Sequence, residues 1–183
     1  MDMQGSRPLT VTQQQAWEAL NDPSVLKACI PGCERIDSTG GNAYALVKAI
    51  RLGPVAARFT GNLQVTGSRA PDSYTLHFDG NGGAAGFGKG SANISLVPQG
   101  EVCELAYTVN AQVGGKIAQV GQRLIDRLAK SMADRFFNRF DEEMRRRFGP
   151  PEEAARAEPP SGLKKMWSKL TSAGRADAPP SDN

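Results

Sequence analysis

The sequence holds one histidine and three cysteines in 183 residues, and its aromatic content is 7%. A lone His77 cannot build a multi-histidine metal centre. Cys29 and Cys33 are spaced C-x3-C rather than C-x2-C, with only Cys103 besides, so a zinc knuckle lacks ligands. Thiol redox pairs sit as C-x-x-C ahead of a helix, whereas "CIPGC" follows one. Long apolar runs are also missing, so a membrane-crossing helix is not expected. The opening "MDMQGSRPLTV" has no charged n-region followed by an apolar h-region, so no secretory signal is expected. The expected location is therefore cytoplasmic, where a structural Cys29–Cys33 disulfide is disfavoured. A net charge of +3 is mild, and the first 140 residues contain neither a Lys/Arg-rich helix nor an RNP-type motif, which sets nucleic acid aside.

What is present is a hydrophobic fraction of 39%, enough for one cored domain with some chain left over. Gln4 to Thr10 reads as a strand ended near Pro8. Thr12 then caps a short helix carrying Ala16, Trp17 and Leu20. Asp22-Pro23 starts a second helix with Val25 and Leu26 inward, and Pro31-Gly32 stops it. From Glu34 to Val113 the hydrophobic period changes to two, with turns at Gly53-Pro54, Pro71-Asp72 and Pro98-Gln99-Gly100, which predicts an antiparallel meander. After Gly114-Gly115, apolar residues from Ile117 to Met144 recur at threes and fours, predicting one long helix through Arg147. One strand, two short helices, six strands and a long helix is the order of the α+β helix-grip fold, a curved seven-stranded sheet gripping a helix around an apolar cavity.

On this reading the inward strand positions Leu46, Ile50, Phe59, Leu63, Leu76, Ile94, Leu105, Tyr107 and Val109 line the cavity. The helix contributes Ala118, Gly121, Leu124, Ile125 and Leu128, the small Ala118 and Gly121 leaving space. The glycine-rich stretch Gly80 to Ala92 nearly matches a phosphate loop. A strand rather than a helix follows it, so it reads as a hairpin tip, with Gly82, Gly83, Gly86, Phe87 and Gly88 forming a movable lip. His77 and Asp79 fall on the outer face, and Asp141, Glu142 and Glu143 precede Arg145, Arg146 and Arg147 as a solvated, paired helix face. No nucleophile–base constellation emerges, and a binding protein is expected rather than an enzyme. Lys48 lies in register with Leu46 and Ile50. It is expected to snorkel out at the strand end, the alternative being contact with a polar ligand head.

Residues 1–147 are thus the expected ligand-binding domain and 148–161 a Pro-rich linker. Residues 162–173 follow as a basic amphipathic helix and 174–183 as a disordered tail. In that helix Leu163, Met166, Trp167 and Leu170 share one side, opposite Lys164, Lys165 and Lys169, a pattern suited to reversible attachment to an anionic membrane.

The stretches "MDMQGSR", "LNDPSVLKACIPGCE", "GPVAARFTG", "SYTLHFDGNG", "GFGKGSA" and "QVGGKIAQVGQRLID…MADRFF" together resemble the carbon monoxide dehydrogenase CoxG family of the START/polyketide-cyclase-like (SRPBCC) superfamily. The resemblance runs from about Met1 to Phe140. It implies an accessory protein of a molybdenum-containing carbon monoxide dehydrogenase, or of a related hydroxylase, that recruits the enzyme to the inner face of the cytoplasmic membrane. No covalent cofactor is implied. An apolar cavity joined to a membrane helix adds the expectation of a bound quinone, menaquinone or ubiquinone, drawn from the bilayer. The alternatives are a ligand-free recruitment scaffold and a cyclase or aromatase-type enzyme.

Overall fold

A computed structural model of the chain describes residues 1–149. The element order is β1 (Asp2–Leu9), α1 (Gln13–Leu20), α2 (Pro23–Cys29), β2 (Cys33–Gly40), β3 (Ala43–Leu52), β4 (Val55–Arg69), β5 (Ser73–Asn81), β6 (Phe87–Gln99), β7 (Val102–Gly114) and α3 (Gln122–Phe148). The seven strands form one antiparallel sheet in the order β1-β7-β6-β5-β4-β3-β2. The meander from β2 to β7 needs only short turns, and β1 closes onto β7. The helix-grip architecture expected from the element order is therefore the fold.

Local chemistry explains the start of the chain. The Thr12 side chain accepts from the Gln15 backbone N–H while the Gln15 side chain accepts from the Thr12 N–H, a reciprocal capping box. Asp22 caps α2 through the Ser24 N–H at 2.8 Å, with Pro23 in the first turn where a missing N–H costs nothing. Pro8, expected to end β1, lies inside it, paired opposite Glu104; β1 is an edge strand, where a proline is tolerated.

The turn after α2 is held by backbone approach. Gly32 has φ +74°, and a Cβ built there would lie 2.4 Å from the Ala49 carbonyl oxygen. The Ala49 N–H donates to the Gly32 carbonyl at 2.9 Å, so the turn is stitched to β3 directly. Only glycine satisfies both the left-handed backbone and the contact. All three cysteines are free, and Cys29 is fully buried at the end of α2.

The long helix is shorter than its hydrophobic pattern suggests. Lys116–Val120 is a 3-10 turn, and Gly121, at φ +96°, separates it from α3. Glycine is a poor helix former, and its freedom at positive φ redirects the chain at this point. The 27 residues of α3 extend about 40 Å at 1.5 Å each. Its far end is tied to α2, where Arg147 reaches Asp22 at 3.0 Å and the Ser24 hydroxyl at 3.1 Å.

Two packed clusters bracket the space between helix and sheet. One joins α1, α2 and the C-terminal half of α3 around Val25, Cys29, Leu105, Phe140 and Met144. The other gathers Leu52, Phe59, Ala85, Ile117 and Ile125 where α3 begins.

Candidate functional site: an apolar cavity between sheet and helix

Between these clusters lie two adjoining apolar lobes. The larger, about 360 Å³, is lined from the sheet by Leu46, Ile50, Leu52, Phe59, Leu63 and Val109, and from α3 by Ile125, Leu128, Ala129 and Met132. The smaller, about 250 Å³, is lined by Leu63, Leu76, Ile94, Leu105, Tyr107 and Val109, together with Tyr44, Tyr74, Ala133, Phe136 and Phe137. Met3, Ile30, Leu63 and Val109 face both lobes. Alternation along each strand produces this lining, because every second residue points to the concave side. Aromatic rings wall the smaller lobe: Tyr107 stacks on Phe137 at 5.7 Å between centroids, and Phe136 meets Phe137 edge to face at 5.4 Å. Open grooves on the outer face of the sheet are lined chiefly by Ser, Thr, Asn and Gln side chains and offer no enclosed apolar space.

All nine expected sheet positions line one lobe or the other, and so do Ile125 and Leu128. Ala118, Gly121 and Leu124 do not. Ala118 lies in the 3-10 turn, Gly121 has open space around its Cα, and Leu124 points towards the β3–β4 turn, its Cδ2 3.5 Å from where a Cβ on Gly53 would lie. The helical stripe holds from Gln122 onward, but its cavity-lining part sits deeper, from Ile125 to Phe137. Ile30 lines both lobes without being expected there. It is the C-cap of α2, between two cysteines, and belongs to no helical or strand period that would mark it as inward.

The glycine-rich tip is also corrected. Phe87 and Gly88 belong to β6 and line the larger lobe, with Phe87 47% exposed at its rim. Gly82, Gly83 and Gly86 do not line it. They frame a 3-10 turn, Gly83–Ala85, closed by the Gly82 N–H donating to the Gly86 carbonyl at 2.8 Å. This turn packs onto the chain after β7: a Cβ on Gly86 would fall 2.1 Å from the Gly114 oxygen, and one on Gly115 2.5 Å from the Gly86 Cα. Ala85 is buried in the adjoining cluster, so the tip is a seated plug rather than a free lip.

Lys48 departs from expectation as well. It lies in mid-strand, lines the larger lobe, and its Nζ is 3.9 Å from Met132 Sδ. Burial pushes its ammonium down to about 8, opposed by Cys33 and reinforced by Arg135 and Arg139. The charged face at the end of α3 is only partly as expected. Glu143 pairs with Arg146 and Arg147, but Asp141 Oδ1 is buried without a partner, and burial raises its carboxyl. His77 is exposed, with Nε2 3.0 Å from the Thr66 hydroxyl. Among the described residues no cluster of three metal-ligating side chains occurs, and no helix is long and apolar enough to cross a membrane. The expected linker, the amphipathic helix with Leu163, Lys164, Lys165, Met166, Trp167, Lys169 and Leu170, and the tail lie outside the described residues.

A curved antiparallel sheet closed by one long helix over an apolar cavity defines a START-like ligand-binding fold. Solved structures agree. A START superfamily protein from Mycobacterium smegmatis has a TM-score of 0.60 at 10% identity, over 79% of this chain and 97% of that one. The ZhuI aromatase/cyclase from Streptomyces sp. R1128 has a TM-score of 0.57 at 10% identity, over 80% and 94%. A conserved protein from Geobacillus kaustophilus is nearer in sequence, at 33% identity, a TM-score of 0.76, and coverage of 80% and 96%. No curated protein matches the chain. The profile of the carbon monoxide dehydrogenase CoxG family matches residues 5–145, and the chain belongs to that family.

Proposed function

We propose that this protein is an accessory factor of a molybdenum-containing carbon monoxide dehydrogenase, or of a related molybdenum hydroxylase, and that it carries a lipophilic quinone between the cytoplasmic membrane and the enzyme. The observation that carries the reading is the pair of adjoining lobes, about 360 and 250 Å³, whose walls are almost wholly aliphatic and aromatic. A close-packed interior rarely leaves so much apolar space unfilled. A ring system with part of a prenyl chain suits its size and character. Family membership supplies the link to the dehydrogenase. An enzyme that passes electrons to a respiratory chain needs an acceptor that stays in the bilayer, and a protein that shields the acceptor's apolar surface removes that barrier. The amphipathic segment around Trp167 gives this reading a peripheral, reversible hold on the inner face of the membrane.

The test is a reconstitution of the purified partner dehydrogenase with quinone-loaded vesicles. Adding this protein should accelerate quinone reduction, and adding it with its cavity blocked should not. Equal acceleration by both forms would leave recruitment alone as the function.

A further inference from the structure

The larger lobe has one side chain whose chemistry its surroundings do not satisfy. Lys48 stands on the concave face of β3 between Leu46 and Ile50, its Cα paired with Phe59 on one side and Cys33 on the other. Its ammonium has three N–H groups to place. The contact in reach is Met132 Sδ at 3.9 Å, a weak acceptor, and no salt bridge among the described residues includes it. The other ionisable groups acting on it bring no carboxylate: Arg135 and Arg139 on α3 are cations, and burial keeps the Cys33 thiol protonated. A half-buried donor facing an apolar space without an acceptor is costly, and a ligand oxygen would relieve that cost.

We infer that Lys48 is the polar anchor of the cavity, donating a hydrogen bond to a ring carbonyl oxygen of the bound quinone. The inference rests on the quinone reading and gives it an orientation. Quinone oxygens only accept and an ammonium only donates, so the two match without further partners. The head then lies in the larger lobe between Lys48 and Met132, and the chain runs along the remaining apolar wall. An amphiphile with a carboxylate head offers a similar acceptor, so the experiment must separate the two.

Full-length protein freed of endogenous lipid is titrated by equilibrium dialysis with 2-methyl-1,4-naphthoquinone, with 2-methylnaphthalene, which lacks the oxygens, and with decanoate. The three proteins are wild type, Lys48→Met and Lys48→Arg. A charge-assisted hydrogen bond predicts that the preference for quinone over hydrocarbon falls roughly tenfold to a hundredfold in Lys48→Met. Hydrocarbon binding should be unchanged, and Lys48→Arg should keep most of the preference. An unchanged preference in Lys48→Met overturns the anchor while leaving the quinone reading intact. Lys48-dependent binding of decanoate beside Lys48-independent binding of the naphthoquinone also overturns it, assigning the lysine to a carboxylate ligand. Failure of wild type to bind either ring compound removes both the reading and the anchor.

Discussion

Lys48 of β3 and Met132 of α3 meet across the cavity, the ammonium nitrogen 3.9 Å from the thioether sulfur. The pair spans sheet and helix at a point where apolar packing would be expected on both sides. Its energetics follow from burial. The folded state holds Lys48 near 8 against an ordinary 10.5, chiefly through desolvation. A depressed folded value means that between the two values the unfolded chain binds more protons, so stability rises with pH through that window. Below about 8 the penalty is present in full. Lys48→Met should therefore stabilise the ligand-free protein by about 2 kcal/mol at pH 7, with the advantage fading as pH approaches 10. Denaturant unfolding at pH 7 and pH 10 checks this; equal stability of the two proteins at pH 7 would rule it out.

Cavity-filling substitutions should separate the lining from its surroundings. Ala129 lines the larger lobe, whereas Ala118 lies in the 3-10 turn before α3. Ala129→Phe is expected to occupy the ligand's space and abolish its retention, with a change in stability within roughly 1–3 kcal/mol. Ala118→Phe should leave retention unchanged. Lipid extraction from both purified variants makes the comparison, and the reverse pattern would place the cavity wrongly.

Gly32→Ala should be among the more damaging small substitutions. It introduces strain at φ +74° and drives a methyl into the Ala49 carbonyl that the turn depends on. A cost of about 3 kcal/mol is expected, combining backbone strain with loss of the stitch between Gly32 and β3. Thermal unfolding measures it, and a change below about 1 kcal/mol would show that the turn tolerates displacement.

Membrane attachment should reside in the segment from Leu163 onward. Its deletion is expected to release the protein from anionic vesicles without altering naphthoquinone affinity in detergent. Replacing Lys164, Lys165 and Lys169 with Gln should weaken binding mainly at low ionic strength, where screening is least. Cosedimentation of the truncated protein would move the membrane contact into residues 1–162.

Much of the architecture was legible because hydrophobic period and turn chemistry agree along the chain. The capping residues Thr12 and Asp22 and the alternation from Tyr44 to Val113 are local signals, and each strand displays its inward face without help from the rest of the fold. What the sequence hid depended on contacts distant in the chain. Gly121 fits a helical stripe as a small residue, and only the backbone reveals that it ends a turn. The seating of Gly86 against Gly114 and Gly115 joins segments that have no local reason to meet, so the tip read as a free loop. The position of Lys48 could be read from alternation, but its lack of a carboxylate partner could not, because partners come from α3 and β2.

The central claim is that the cavity holds a quinone, and mass spectrometry of an organic extract of the tag-free protein tests it most directly. Purified from cells that make its partner dehydrogenase, the protein should yield a menaquinone or ubiquinone at near-stoichiometric amount, and Ala129→Phe should yield almost none. An extract of wild type without quinone, or with equal traces from both proteins, would contradict the account.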